Sequence, residues 1–152
     1  MSKREGKARP YEKKPYESDC AKSDTSANIY MSMLMSPAWM DLTPKQQQLY
    51  VYCKAQKYAE KRKTHGEESF TMNRSKWCSL YGLYASNNAR GFYRDMEALI
   101  MHGFVDCVEC GANTRTKSVY KLSSRWHDYG KPGYEVPLGV MTSAMRRKIL
   151  KP

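Results

Sequence analysis

The clearest alternation of apolar and polar residues runs from Ser86 to Ile100 and has the period of an amphipathic helix. Ser86 is predicted to cap this helix, because its hydroxyl can accept a hydrogen bond from an amide of the first turn. Gly103 is predicted to end it. The apolar residues that share its buried face are Ala89, Phe92, Met96, Leu99 and Ile100. The opposite face carries Asn87, Arg90, Gly91, Arg94 and Ala98.

A shorter helix is predicted just before this one, with Asn73 as its cap and Gly82 as its stop. Its apolar residues are Trp77, Leu80 and Tyr81. Only a short turn separates it from the next helix, so the pair is predicted to form a helix-turn-helix. Residues 69–72 ahead of it alternate as a short strand.

A β-hairpin is predicted after Gly103, because residues 104–110 and 118–123 both alternate with a period of two around a turn that contains glycine and asparagine. Asp106 and Glu109 lie towards the helix end of this hairpin. Arg115 and Lys117 lie at its tip. This order of charges lets the tip meet a phosphate backbone.

The longest helix is predicted from Lys45 to about Lys63, with Thr43 as its cap and Pro44 at its first position. It ends in cations, which favour the negative end of a helix dipole. Ahead of it, residues 29–35 are predicted to form a short strand or extended lead-in, and residues 37–40 a single helical turn. The predicted buried side of the long helix holds Leu49, Tyr52, Cys53, Gln56 and Ala59.

The two ends of the chain differ in composition from its centre. Residues 1–26 have hardly an aliphatic side chain and are predicted to be a disordered basic arm. Residues 127–152 start as a glycine- and proline-rich loop, and a short helix is predicted from Leu138 to Leu150. Its apolar side would hold Val140, Met141, Ala144, Ile149 and Leu150. Three roles stay open for it: a dimerisation or partner helix, a basic tail that touches DNA, or a helix packed back on the domain.

Composition narrows the choice of partner. The chain of 152 residues carries a formal net charge of +11, which favours a polyanion. The hydrophobic fraction of 41% is enough for one modest core. No run of apolar residues is long enough for a membrane span, and the first residues contain no secretion signal. The five cysteines form no tight framework, so a reduced, cytoplasmic protein without disulfides is expected.

Catalytic and metal-binding patterns are weak. Cys107 and Cys110 have the spacing of half a zinc site, but structural zinc needs four ligands. Positions three apart on a regular strand also face opposite sides. The histidines His65, His102 and His127 are scattered, whereas a rolling-circle initiator or a relaxase would need a histidine cluster. The sequence therefore predicts no enzyme activity, no metal and no cofactor.

Residues 72–126 resemble the winged-helix family of DNA-binding domains, in the order strand, helix 2 (the helix capped by Asn73), helix 3 (the helix capped by Ser86) and wing (the hairpin after Gly103). Residues 80–86 and 92–105 are similar to the family's turn, recognition helix and exit. Upstream, residues 30–52 resemble the entry of winged helices in plasmid and phage replication initiators, and are also similar to small accessory proteins of Gram-positive conjugative elements. Helix 2 departs from the commoner pattern, because Trp77 and Cys78 replace small aliphatic residues.

The resemblance implies that helix 3 enters the major groove of double-stranded DNA. Asparagine can pair with adenine and arginine with guanine through two hydrogen bonds, each pairing giving about 1–3 kcal/mol of discrimination. The implied base readers are Asn87, Asn88, Arg90 and Arg94. Arg74 and Lys76 are expected at backbone phosphates, near the start of helix 2. Asn113, Arg115 and Lys117 on the wing are expected at the flanking minor groove or backbone.

The sequence thus predicts a single α+β winged helix-turn-helix domain over residues 28–126, with three helices and a β-hairpin wing between a flexible arm and a tail. Its expected function is sequence-specific binding of double-stranded DNA at a replication or transfer origin of a plasmid or other mobile element. No membrane and no small-molecule substrate are expected. A homodimer and replication or relaxosome proteins remain open as further partners. The alternatives are a transcriptional repressor, or a winged-helix protein-interaction module in a larger assembly.

Overall fold

The computed structural model describes residues 27–59, 69–112 and 116–151, which form a mixed α+β fold. The predicted arm, residues 1–26, lies outside this part. Helices and strands follow in the order α1 (Met31–Leu34), α2 (Pro37–Met40), α3 (Pro44–Ala59), β1 (Ser69–Thr71), a π-helix (Ser75–Leu80), α4 (Ala89–Met101), β2 (Val105–Glu109) and β3 (Val119–Leu122). Two 3₁₀ turns (Arg125–His127 and Leu138–Val140) and α5 (Ser143–Leu150) complete the described chain.

The three strands form one antiparallel sheet in the order β1-β3-β2. Tyr120 at its centre pairs with Phe70 of β1 and with Cys107 of β2. The predicted hairpin is therefore present as β2 and β3, and β1 adds a strand to it. A β-bulge between Cys107 and Glu109 interrupts the register of β2. Such a bulge places two residues opposite one and changes which side chains face the core.

The core lies between this sheet, α3 and α4. The apolar face of α4 is buried as predicted: Phe92, Met96, Leu99 and Ile100 are each at most 1% exposed. Trp77 of the π-helix stacks on Phe92 with ring centroids 5.0 Å apart. The strong apolar period of α4 thus fixes which of its faces points away from the core and is available to a partner.

The start of α3 agrees with the prediction. The Thr43 hydroxyl accepts a hydrogen bond from the Gln46 amide (3.4 Å), and the Gln46 side chain accepts one from the Thr43 amide (2.9 Å). This reciprocal pair is a capping box. Leu49, Cys53 and Gln56 are buried and Tyr52 is half-buried. The side chain of Ala59 and residues 60–63 lie outside the described part of the chain.

The prediction of a strand or extended segment over residues 29–35 is wrong, because residues 31–34 form the single turn of α1. The amides of Met33 and Leu34 both donate to the Tyr30 carbonyl. Ser36 fixes the next turn, since its hydroxyl donates to the Met33 carbonyl (2.7 Å) and accepts from the Trp39 amide (3.2 Å). The helical turn predicted over residues 37–40 is confirmed as α2.

Two predictions about the helix-turn-helix region are wrong in detail. Asn88, not Ser86, caps α4, because residues 85–88 close a turn through a hydrogen bond from the Asn88 amide to the Ala85 carbonyl (2.9 Å). Leu80 is 67% exposed rather than buried. The segment is a π-helix, whose wider turn carries Leu80 further round from Trp77 than an α-helix would. Gly82, with a φ of 61°, ends this helix as predicted.

The tail packs back on the domain through a face different from the predicted one. The Thr142 hydroxyl accepts a hydrogen bond from the Met145 amide (3.2 Å), so α5 begins at Ser143. Met141 and Met145 are then buried, whereas Ile149 and Leu150 are exposed. Lys148 on the same helix forms a 2.7 Å ion pair with Glu97 of α4. The predicted winged helix-turn-helix domain had three helices, and the described chain also contains α1, α2 and α5.

Candidate nucleic-acid interface

The start of α4 and the turn before it carry the predicted base readers. The side chains of Arg90 and Arg94 are exposed on α4, and that of Asn87 is exposed in the turn that precedes the helix. Gly91, which was placed on the same face by the sequence, is buried instead. The exposed face of α4 thus presents two guanidiniums, and the turn before it presents one amide; both groups can hydrogen-bond to base edges.

Asn88 was expected to read bases, but its side chain caps α4. Its side-chain oxygen accepts a hydrogen bond from the Gly91 amide at 3.0 Å. Because adenine recognition by asparagine uses both the oxygen and the amide nitrogen of the side chain, the cap competes with base reading. The geometry therefore assigns Asn88 to the start of α4.

Arg94 is exposed but has a partner. Its Nε lies 3.4 Å from Oδ1 of Asp95, and its side chain is 75% exposed. Asp95 itself is buried and also accepts hydrogen bonds from the Tyr84 hydroxyl (2.7 Å) and from Nε2 of the Gln46 side chain (3.1 Å). Burial, followed by the hydrogen bond to Asp95, raises the pKa of the Tyr84 hydroxyl, so this group stays a donor. This buried carboxylate links α3, the turn and α4, and no pattern in the sequence indicates it.

The two cations expected at the start of helix 2 have different environments. Arg74 is exposed. Lys76 is half-buried, and its ammonium donates to the carbonyl (2.7 Å) and the hydroxyl (3.0 Å) of Thr71. The Lys76 ammonium thus has two hydrogen-bond acceptors at the end of β1, and its expected contact with a phosphate stays a prediction. Asn73 accepts from the Lys76 amide (3.2 Å) and caps this helix as predicted.

On the hairpin, Lys117 is exposed next to the tip. Asn113 and Arg115 lie outside the described residues. Asp106 at the base of the hairpin is neutralised by Arg125, whose guanidinium donates to it at 2.5 and 2.9 Å. Arg125 also donates to the Ile100 carbonyl at 3.0 Å, so it joins the hairpin to the end of α4. Arg125 was not among the predicted residues, because a single arginine in a polar run forms no pattern.

Arg147 of α5 is a further cation near these residues, on the helix for which the sequence left several roles open. It is exposed and lines one cavity together with Arg74 and Lys117. The three cations come from three separate segments of the chain. The structure therefore joins the tail to the predicted interface, which the spacing of the residues does not reveal.

The expectation that Cys107 and Cys110 face opposite sides assumed a regular strand, and the β-bulge between Cys107 and Glu109 interrupts that regularity. Cys107 is buried, Val108 and Glu109 are exposed, and Cys110, just beyond β2, is half-buried. Burial raises the pKa of the Cys107 thiol to about 11. Burial also raises the pKa of Cys110, but hydrogen bonds with Ser143 and the Ala112 backbone, with Arg146 nearby, bring it below its usual value.

The described residues contain no group of three or more histidine, cysteine, aspartate or glutamate side chains placed to hold a metal ion. None of the helices described is both long and apolar enough to cross a membrane.

Comparison with protein-family models, with curated proteins and with solved structures finds no match to this chain.

Proposed function

We propose that this protein binds double-stranded DNA as a winged helix-turn-helix domain, with α4 in the major groove and the hairpin against the flanking backbone. The observation that carries the proposal is the exposed face of α4, where Arg90 and Arg94 project opposite a fully buried apolar face. A helix of this kind fits the width of the major groove. The order α3, β1, π-helix, α4, β2, β3 also follows the order of a winged helix.

In this proposal the exposed predicted residues form two groups. Arg90, Arg94 and Asn87 would contact base edges, and Arg74 and Lys117 would contact phosphates. Phosphate contacts position a protein on DNA and base contacts give it sequence preference. The net charge of +11 supports a strong electrostatic contribution to affinity.

We further propose that the target is an origin of replication or conjugative transfer on a plasmid or other mobile element. The domain acts there without a catalytic step of its own. Repression of transcription is the alternative, because the same interface serves both roles. Footprinting on the DNA around the protein's own gene separates them: protection of a repeat array apart from the promoter supports an origin, and protection of the promoter supports repression.

The proposal is tested by fluorescence anisotropy with duplexes selected from a random pool. We expect affinity to fall steeply between about 50 and 200 mM salt, because phosphate contacts release counterions. The double variant Arg90→Gln/Arg94→Gln is expected to lose sequence preference and keep its fold. The matched control Lys131→Gln/Lys151→Gln removes the same charge from exposed positions outside α4 and is expected to keep the preference.

Variants of the two residues proposed to contact phosphates, Arg74 and Lys117, give a second readout. Arg74→Gln and Lys117→Gln should each reduce the slope of log affinity against log salt by about 0.9 and leave sequence preference unchanged. Absence of duplex binding at low salt, or an unchanged preference in the α4 double variant, contradicts the proposal. A protein complex that survives the double variant, with no duplex bound, identifies an interaction module instead.

A further inference from the structure

A cavity of about 480 Å³ lies between the start of the π-helix, α4, the hairpin and α5. Its volume is in the range of sites for small organic molecules. Apolar side chains form its floor: Met72, Met96 and Tyr120. Tyr93, which is 53% exposed, adds an aromatic wall. The cavity therefore offers an apolar ligand both a buried floor and a ring to stack on.

The mouth of the cavity is positively charged. Arg74, Lys117 and Arg147 line it, and within the described residues none of the three forms an ion pair. Among the described lining residues the one carboxylate is Glu97, which Lys148 already neutralises at 2.7 Å. Cations without carboxylate partners that converge on one opening favour an anionic ligand.

Three polar residues of the lining, Thr142, Ser118 and Asn73, add to the preference for an anionic ligand. Thr142 caps α5 at the cavity, so the positive end of that helix lies there. Ser118 and Asn73 also line the cavity and carry groups that can donate hydrogen bonds. The lining is thus apolar at the floor and rich in donors and cations towards the solvent.

We propose that this cavity binds a small aromatic anion. Its ring lies on Met72 and Met96 beside Tyr93, and its anionic group is bound by Arg74, Lys117 and Arg147. An aromatic carboxylate and a nucleoside monophosphate share this chemistry. Arg74 and Lys117 also belong to the proposed DNA interface, but ligand binding does not depend on that proposal, since it is measured without DNA.

The test is isothermal titration calorimetry on the full chain, at low salt, with 2-naphthoate and with adenosine monophosphate as probes. We expect one of them to bind saturably with one molecule per chain, and the tighter of the two identifies the source of the anion. The neutral analogue 2-naphthol and inorganic phosphate each carry half of the recognised chemistry, so each should bind at least roughly tenfold more weakly.

Variants locate the site. Arg147→Gln, at an exposed position of α5, should weaken binding of the tighter probe roughly tenfold, because a charged hydrogen-bond donor is lost. Ala144→Phe should also weaken it, because Ala144 lines the cavity and a larger side chain would fill it. Lys151→Gln removes the same charge one turn further along the chain and should bind as the wild type does.

Three results would overturn the proposal: no saturable binding of either probe, binding of 2-naphthol as tight as that of 2-naphthoate, or an unchanged affinity in Arg147→Gln. Since Ala144→Phe places a large side chain next to the core, its far-UV circular dichroism and melting curve are compared with those of the wild type. Arg147→Gln changes an exposed side chain and decides the question by itself if the fold of Ala144→Phe is altered.

Discussion

Gly91 and Asn88 at the start of α4 should show strong coupling in stability. Replacing a helical glycine by alanine normally stabilises a helix by about 1 kcal/mol. A Cβ at Gly91, however, would lie 2.6 Å from Oδ1 and 2.8 Å from Nδ2 of Asn88. The methyl group must therefore displace the side chain that caps the helix, and loss of such a cap costs about 1 kcal/mol.

The two effects give a quantitative expectation for a double-mutant cycle. Gly91→Ala should leave the free energy of unfolding within a few tenths of a kcal/mol of the wild type, because about 1 kcal/mol is gained from helix propensity and about 1 kcal/mol is lost with the cap. Asn88→Ala alone should destabilise by about 1 kcal/mol. In the Asn88→Ala background, Gly91→Ala should stabilise by about 1 kcal/mol, so the coupling energy is about 1 kcal/mol.

The assay is urea denaturation followed by tryptophan fluorescence, with thermal melting as a second measure, where about 1 kcal/mol shifts the midpoint by roughly 2–8 °C for domains of this size range. Ala98→Gly is the matched control, since Ala98 is on the same helix and almost three turns from the cap. Its effect should be the same in both backgrounds within about 0.5 kcal/mol.

Additive effects would refute this reasoning. If Gly91→Ala stabilised the wild type by the full amount, the methyl group would be accommodated and Asn88 would not cap the helix. The distinction bears on function, because Asn88→Ser keeps a capping hydroxyl and removes the amide. A cap predicts an unchanged DNA sequence preference in Asn88→Ser, whereas a base reader predicts a change at one position of the site.

Three further outcomes are expected. Gly103→Ala should lower the free energy of unfolding by about 2–4 kcal/mol, because the added Cβ would lie 2.5 Å from the backbone nitrogen of Trp126 at a φ of 80°. Gly130→Ala is the control, since Gly130 has the same φ and nothing within 4 Å of an added Cβ; the same urea titration should show a loss of only about 1 kcal/mol. Iodoacetamide should alkylate Cys110 at a lower pH than Cys107, because the thiolate reacts and the two pKa values are shifted in opposite directions; equal alkylation rates across the pH range, measured by peptide mass spectrometry, would contradict this. The tighter of the two cavity probes should weaken DNA binding in the anisotropy assay, with a smaller effect in Arg147→Gln.

The regular elements could be predicted from the sequence where a single period extends over several turns. The apolar face of α4 and the alternation of the hairpin are of this kind, since both patterns are set by burial. The segment from Met31 to Leu34 is too short for a period to decide, and in the described sheet no strand lies beside it to pair with. Leu80 was misplaced because the pattern assumes the turn of an α-helix rather than that of a π-helix.

The errors at the candidate site have another origin, which is the choice between chemically equivalent partners. Ser86 and Asn88 can both cap a helix, and the turn that closes at Ala85 decides between them. Lys76 can donate to a phosphate or to a carbonyl, and in the folded chain it donates to the Thr71 carbonyl. The β-bulge between Cys107 and Glu109 breaks the alternation from which the placement of Cys110 was predicted. These choices depend on tertiary contacts, which a local pattern does not contain.

The same contacts determine where a test of DNA reading is decisive. Asn88 and Lys76 hold local structure, and Arg94 contributes to the surroundings of the buried Asp95, so a change at any of them alters stability as well as any contact with DNA. Arg90 is exposed, and within the described residues it forms no ion pair. Loss of sequence preference in Arg90→Gln alone, with an unchanged free energy of unfolding, therefore follows only if α4 reads bases.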